Sequence, residues 1–269
     1  MKISVIIPTY KPGNYIWECL DSLKNQVFDK SDFEIIVVLN GCCEPYYSSL
    51  KTYFEEHMGE YNIKYFQIDT PGVSNARNIA LDNAEGEYVT FIDDDDYISE
   101  EYLSELYRCS SPDTIALCFP YEFEDKTGLH LSSTLAGTYR KLSCKGKQAY
   151  EMSRKYFSGP YMKLIHSEII GDRRYDTRLS NCEDSLFMFL ISDRFRYVDY
   201  TSEKAVYFWR HREGSAMTSE GGKWTIIKHR LQMCGHYTSI YFRRPSAYSF
   251  LFYVTRLLAA CKSMLRLYI

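Results

Sequence analysis

The chain has 269 residues, 45% of them hydrophobic and 25% charged, with a formal net charge of -3. That balance excludes a disordered tail and a fibrous repeat, and the length suffices for one large α/β domain or for one domain with a smaller appendage. The near-neutral total hides an asymmetry: Lys204 to Ile269 carries 11 Lys/Arg against 2 Asp/Glu, so the last quarter is basic and the remainder acidic.

The apolar run Ile3 to Ile7 is cut by Pro8 and is too short for the core of a secretory signal. The chain is therefore expected to stay in the cytoplasm. Its nine cysteines, an odd number without a CxxC pair, are expected to be reduced thiols. In chain order, Ile3 to Ile7, Phe33 to Leu39, Ile63 to Ile68 and Glu87 to Ile92 predict strands. Helices fall between them: Tyr15 to Gln26 sets Ile16, Cys19, Leu20 and Leu23 on one face, and Ser74 to Ala84 does the same with Ala76, Ile79 and Ala80. Strand and helix in alternation, with near-continuous apolar strands, predict a mostly parallel sheet covered on both faces. Past Ser99 the pattern predicts a helix, a strand near Ile115 to Phe119, an irregular stretch to Lys147, and helices at Gly146 to Lys155 and Asp184 to Ser192. From Lys223 onward two helices are expected, broken at Pro245.

Polar residues collect where the predicted strands end. Pro8-Thr9-Tyr10, Asn40-Gly41, Thr70-Pro71-Gly72-Val73-Ser74 and Asp93-Asp94-Asp95-Asp96 would share one edge of the sheet, where ligands of open parallel sheets bind. Neither GxGxxG nor GxxxxGK[ST] is present, which disfavours hydride transfer and P-loop chemistry, and the absence of HExxH leaves zinc catalysis without support. Two carboxylates about 4 Å apart repel by roughly 4 kcal/mol at an effective dielectric near 20, a load that a divalent cation relieves. Hard oxygen ligands suit Mg²⁺ or Mn²⁺, completed by water and substrate phosphates. The alternative is a solvated acidic turn capping the next helix. Beside helix N-termini and Arg77, such a metal would make a site for a diphosphate leaving group.

Four segments in order, Ser4-Val5-Ile6-Ile7-Pro8-Thr9-Tyr10, Glu34 to Val38 with Asn40-Gly41, Gly72-Val73-Ser74-Asn75-Ala76-Arg77-Asn78 and Phe91-Ile92-Asp93-Asp94-Asp95-Asp96-Tyr97, resemble family 2 glycosyltransferases of the GT-A fold. The resemblance covers roughly residues 3 to 218. It implies a Rossmann-like sheet and inverting transfer of a sugar from a nucleoside-diphosphate donor to a hydroxyl of a glycan or lipid-linked saccharide. It implies a catalytic domain over 1–218, with a nucleotide-binding half to about 98 and an acceptor-binding half from about 99, followed by a basic helical segment over 219–269. By motif, Pro8, Thr9, Tyr10, Asn40, Arg77, Asp93 and Asp94 would bind the nucleotide, with Thr9, Tyr10 and Asn40 at the base and Asp93 near the ribose. Asp93 and Asp95, the ends of a DxD motif, would hold Mn²⁺ or Mg²⁺. The family often has two aspartates where this chain has Leu39-Asn40; asparagine still pairs with uracil, so UDP is the expected carrier.

Further on, Glu183-Asp184 before Leu186, Phe187, Phe189 and Leu190 is similar to the family's Glu-Asp motif opening a helix. Inverting displacement needs a carboxylate to take the acceptor hydroxyl's proton, and Asp184 is the candidate base. A plainer reading is that both acids favour a helix N-terminus. Arg210-His211-Arg212-Glu213-Gly214-Ser215 resembles a loop closing over the diphosphate, with Arg210 and Ser215 on phosphate oxygens and His211 either a metal ligand or a solvated surface residue. Met162-Lys163-Leu164 fits the family's acceptor-side helix. The tail after Pro245, too charged to span a bilayer, is either a basic amphipathic helix in the headgroup region at the inner face of the cell membrane or a helix packed on the domain. A non-catalytic sugar-nucleotide or glycan-binding protein of the same fold is the alternative function; it would have no need of Asp184.

Overall fold

The computed structural model describes residues 1–179, 181–212 and 222–265. Its first part alternates strand and helix: β1 (Ile3–Thr9), α1 (Tyr15–Lys24), β2 (Phe33–Asn40), α2 (Tyr46–His57), β3 (Asn62–Ile68), α3 (Val73–Asp82) and β4 (Tyr88–Phe91). β1 pairs in parallel with β2 and with β4, and β2 with β3. Every residue of β1, β2 and β4 is buried, as a strand covered on both faces requires, whereas β3 at the sheet edge is only partly covered. α1 buries Ile16, Cys19, Leu20 and Leu23, the face its spacing predicts.

The chain then runs through β5 (Tyr97–Ile98), α4 (Tyr102–Cys109), β6 (Thr114–Leu117), β7 (Phe119–Glu124), α5 (Thr134–Leu142), β8 (Gln148–Ala149), a 3₁₀ segment (Tyr150–Ser158), β9 (Lys163–His166), α6 (Ser167–Ile170), α7 (Glu183–Leu190), β10 (Tyr197–Tyr200), β11 (Val206–His211), α8 (Lys223–Arg243) and α9 (Phe250–Leu265). The main sheet has the order β3-β2-β1-β4-β9-β6-β10-β8, and β5-β11-β7 form a second, small sheet. β9 is antiparallel to both neighbours, with Val89 opposite Ile165 and Ala116 opposite Leu164.

Three expectations change here. Met162-Lys163-Leu164 does not open a helix: from Lys163 it is a central strand, all buried, whose identity comes from β4 and β6 on either side. The strand expected near Ile115 to Phe119 divides at Cys118, β6 joining the main sheet and β7 the small one. The helix expected at Gly146 to Lys155 is the short β8 followed by 3₁₀ turns.

The tail folds as two helices on either side of Pro245, as expected. They pair through Tyr241 stacked on Tyr253, with ring centres 4.5 Å apart. Phe252, Tyr253 and Tyr248 belong to the same apolar cluster as β1 and β2. Arg256 turns inward rather than to solvent: its Nη2 donates to the Phe157 carbonyl at 2.5 Å and its Nη1 to Ser158 Oγ at 3.3 Å, against the Phe252 ring. No described helix is long and apolar enough to cross a membrane. No disulfide joins the described cysteines.

Candidate active site at the strand ends

The loops at the carboxyl ends of β1, β2 and β3 are fastened to one another by Asn40. Its Nδ2 donates to the Thr9 carbonyl at 2.7 Å and its Oδ1 accepts the Gly72 N–H at 2.9 Å, both within the protein. Gly41 follows at φ +64, and a Cβ there would lie 2.5 Å from Pro71 Cβ, so only glycine lets the two loops close. The Asn40 amide thus sets the spacing of the loops, with its carbonyl and amino groups engaged by backbone. Pro8 lies buried in β1, the buried Thr9 hydroxyl donates to Asp94 Oδ2, and Tyr10 stands half exposed with Lys11 Nζ over its ring.

The four aspartates after β4 have four different surroundings. Asp96, 1% exposed, accepts the Tyr207 hydroxyl at 2.7 Å and the Arg210 N–H at 2.8 Å. The Tyr207 hydroxyl in turn accepts the Asp93 N–H at 3.1 Å, so Asp96 is a structural tie between the loop after β4 and β11. Asp94 sits on Thr9. Asp95 Oδ2 pairs with Arg212 Nε at 2.6 Å, and the Asp95 carbonyl accepts Arg210 Nε at 2.7 Å. Asp93 Oδ1 accepts Arg77 Nη2 at 3.2 Å. Burial pushes the Asp94 carboxyl up to about 7 and that of Asp93 up to about 6, Arg77 opposing the latter shift.

Arg77 joins this cluster to the second carboxylate. It projects from α3, is 3% exposed, and reaches Asp184 Oδ1 with Nη1 at 2.5 Å while Nη2 holds Asp93. Its guanidinium lies over the Tyr175 ring, which stacks on Phe187 of α7 with centres 4.0 Å apart. Asp184 therefore stands in the first turn of α7 but is held by more than the helix terminus. Burial lifts its carboxyl to about 6, with Arg77 acting in the other direction and Glu183 adding to the rise. Lys163, inside the sheet, donates from Nζ to the carbonyls of Gly159 at 2.7 Å and Tyr161 at 2.5 Å. Burial draws its ammonium down to about 7, and its charge favours the ionised form of Asp184.

The arrangement thus brings together Thr9, Asn40, Arg77, Asp93, Asp94, Asp95, Asp184 and Arg210. It turns His211 elsewhere. Alternation along β11 directs this ring to Glu122 of β7, with Nε2 3.0 Å from Oε2, and no cluster of three or more His, Cys, Asp or Glu poised for a metal occurs among the described residues. Ser215 lies outside the described residues. Sequence reasoning missed Arg212 on Asp95, and Glu18 and Asp125, which pair with the Arg210 guanidinium. The basic triplet 210–212 carried the only signal for Arg212, which lies just past the end of β11.

Six parallel strands among eight, helices on both faces, and acidic side chains at the strand ends joined through Arg77 to a further carboxylate define an α/β protein of the GT-A type. Residues 4–173 match Glycosyl transferase family 2, and the chain belongs to that family. It is 29% identical over 235 residues to the glycosyltransferase GlyA of Streptococcus pneumoniae serotype 4, covering 83% of this chain and 32% of that protein. It is 31% identical over 239 residues to the poly(ribitol-phosphate) beta-N-acetylglucosaminyltransferase TarS of Staphylococcus aureus, covering 81% of this chain and 37% of TarS. The alignment thus spans about a third of the length of these curated relatives. Residues 1–349 of S. aureus TarS in complex with UDP-GlcNAc superpose with a TM-score of 0.66 at 26% identity, covering 87% of this chain and 66% of that one. The mannosyltransferase PcManGT from Pyrobaculum calidifontis in complex with GDP-Man and Mn²⁺ superposes with a TM-score of 0.60 at 17% identity, covering 97% of this chain and 74% of that one, a likeness of fold.

Proposed function

We propose that the chain is an inverting glycosyltransferase that moves a hexosyl or N-acetylhexosaminyl group from a UDP-linked donor to a hydroxyl of a glycan or lipid-linked saccharide in polysaccharide synthesis. One observation carries the reading: a single buried guanidinium, Arg77, spans the gap between Asp93 on the donor side and Asp184 on the acceptor side. The acid that receives a proton and the acids that face the leaving diphosphate are thereby held at a fixed separation. The TarS complex, with its UDP-sugar, supports the donor class. A non-catalytic binder gives no reason to hold Asp184 against a buried guanidinium.

Asp184 takes the proton from the acceptor hydroxyl as that oxygen attacks the anomeric carbon from the side opposite the diphosphate. With Oδ1 engaged by Arg77, Oδ2 is the atom that receives it. Arg77 keeps the carboxyl ionised against the burial that raises it. Asp93 and Asp95 fit a divalent cation in their chemistry, two hard carboxylates with one oxygen each beyond their arginine contacts, the usual protein share of a Mg²⁺ or Mn²⁺ shell. A cation held there would supply electrostatic stabilisation of the departing diphosphate. Arg210, bound to the Asp95 carbonyl, lies where it can add a second positive charge. Arg212 must leave Asp95 Oδ2 for that oxygen to take another partner. His211, on Glu122, has no part in this assignment.

The test is a panel of nucleotide sugars with Mn²⁺, read by nucleotide release with and without glycan acceptors. Asp184→Asn is expected to keep UDP affinity while transfer falls about 10²- to 10⁴-fold, the usual share of a general base. Asp95→Ala is expected to abolish the metal dependence of donor binding. Transfer at the wild-type rate by Asp184→Asn would end this reading.

A further inference from the structure

The 48 residues from Gly222 to Ile269 contain eight Lys/Arg and no Asp or Glu. The helices they form have two dissimilar sides. The inner side of α9 buries Phe252, Tyr253, Arg256 and Ala260 against the domain. Its outer side presents Leu251, Leu258 and Leu265, seven residues apart on one line and each more than half exposed; α8 adds Trp224, Leu231 and Phe242, also more than half exposed. Single exposed apolar residues are ordinary, but this run of large ones on paired helices is not, and Lys228, Arg243 and Lys262 stand exposed among them.

We propose that the outer face of the α8–α9 pair docks on an anionic lipid surface, with the leucine line of α9 among the headgroups and the basic side chains on their phosphates. Charge selects the occupant. A second copy would bring two faces together that both carry positive charge and no acid to answer it. Lipid phosphates supply the missing anions across a surface whose interior also accepts leucine and phenylalanine. α9 is held to the domain by its other side, so the face is already formed before docking. The contact also lies close to the base candidate: Tyr237 of α8 shares a hydrogen bond with Ser185, the neighbour of Asp184. The base assignment rests on the proposed transfer reaction; the docking itself does not.

The experiment is flotation of the full chain with vesicles of phosphatidylcholine alone or with about 30 mol% phosphatidylglycerol, at about 0.1 M and about 0.5 M salt. Binding is expected only to the anionic vesicles and is expected to weaken at the higher salt. Leu251→Glu with Leu258→Glu should lower the partition at least about tenfold, and Arg243→Gln with Lys262→Gln should lower it most at low salt, whereas Val27→Glu, an exposed site after α1, should not change it. Circular dichroism and UDP binding, which do not involve these leucines, verify that the variants are folded. Equal binding to both vesicle types, no binding, or binding unaffected by the leucine substitutions overturns the proposal. So does a dimer that the leucine pair dissolves, which would assign the face to a second copy. Vesicle binding is read without any turnover, so its failure and a failure of the transferase reading are separate results.

Discussion

Residues 3–98 and residues 99–212 both supply carboxylates and arginines to the cluster around Arg77 and Asp96, but they reach it by different routes. In the first stretch, parallel strands follow one another with a single helix between each pair, and their loops lie side by side at one edge. In the second, β9 enters the main sheet antiparallel between β4 and β6, while β7 and β11 leave it for a separate sheet with β5. The loops of the first stretch are therefore held by partners about thirty residues apart, Asn40 to Thr9 and Gly72, and the second stretch is tied to the first by partners about a hundred residues apart, Arg77 to Asp184 and Asp96 to Arg210. The lesson is that the long-range ties, not the loops, fix the distance between the two sets of carboxylates.

Removing the tie between the halves should have the largest effect. Arg77→Met removes the buried guanidinium from two partly exposed carboxylates, a loss of about 1.5–3 kcal/mol in urea unfolding, and it should abolish turnover even where UDP still binds. Retention of wild-type stability would mean that the two halves are independent. Asn40→Ala acts within one half only: losing its bonds to Thr9 and Gly72 should cost about 1–3 kcal/mol and weaken UDP binding without moving the pH profile. The profile itself is the finest probe. Asp184 must be unprotonated to accept a proton, and burial holds its carboxyl at about 6, so kcat should rise about tenfold per pH unit below that value and level above it. An acid limb near the ordinary aspartate range would place Asp184 in open solvent and break the comparison.

The first stretch was legible because its physics is local. Apolar β-branched runs, one-faced helices and polar strand ends each fit inside a window of about a dozen residues. The roles of the four aspartates were not, although their presence was: Asp96 looks like its neighbours in sequence, and only Tyr207 and Arg210, brought alongside by β11, make it structural. The resemblance alone places Met162-Lys163-Leu164 in a helix, since three residues carry no period of their own, and the strand exists by virtue of partners on both sides. Arg77 was picked out by its motif, yet its bond to Asp184 spans 107 residues and no spacing rule could supply it. His211 is the last residue of β11 and faces Glu122, whereas Arg212, just past the strand end, reaches Asp95.

Arg256 has a consequence for how the molecule can be divided. Its guanidinium, sealed under the last helix, closes off carbonyl groups of the 3₁₀ segment that water would otherwise have to reach. A shortened chain ending before this helix would bare those carbonyls together with the Phe157 and Phe195 rings behind them, so the smallest piece that stays soluble and folded has to run past residue 256.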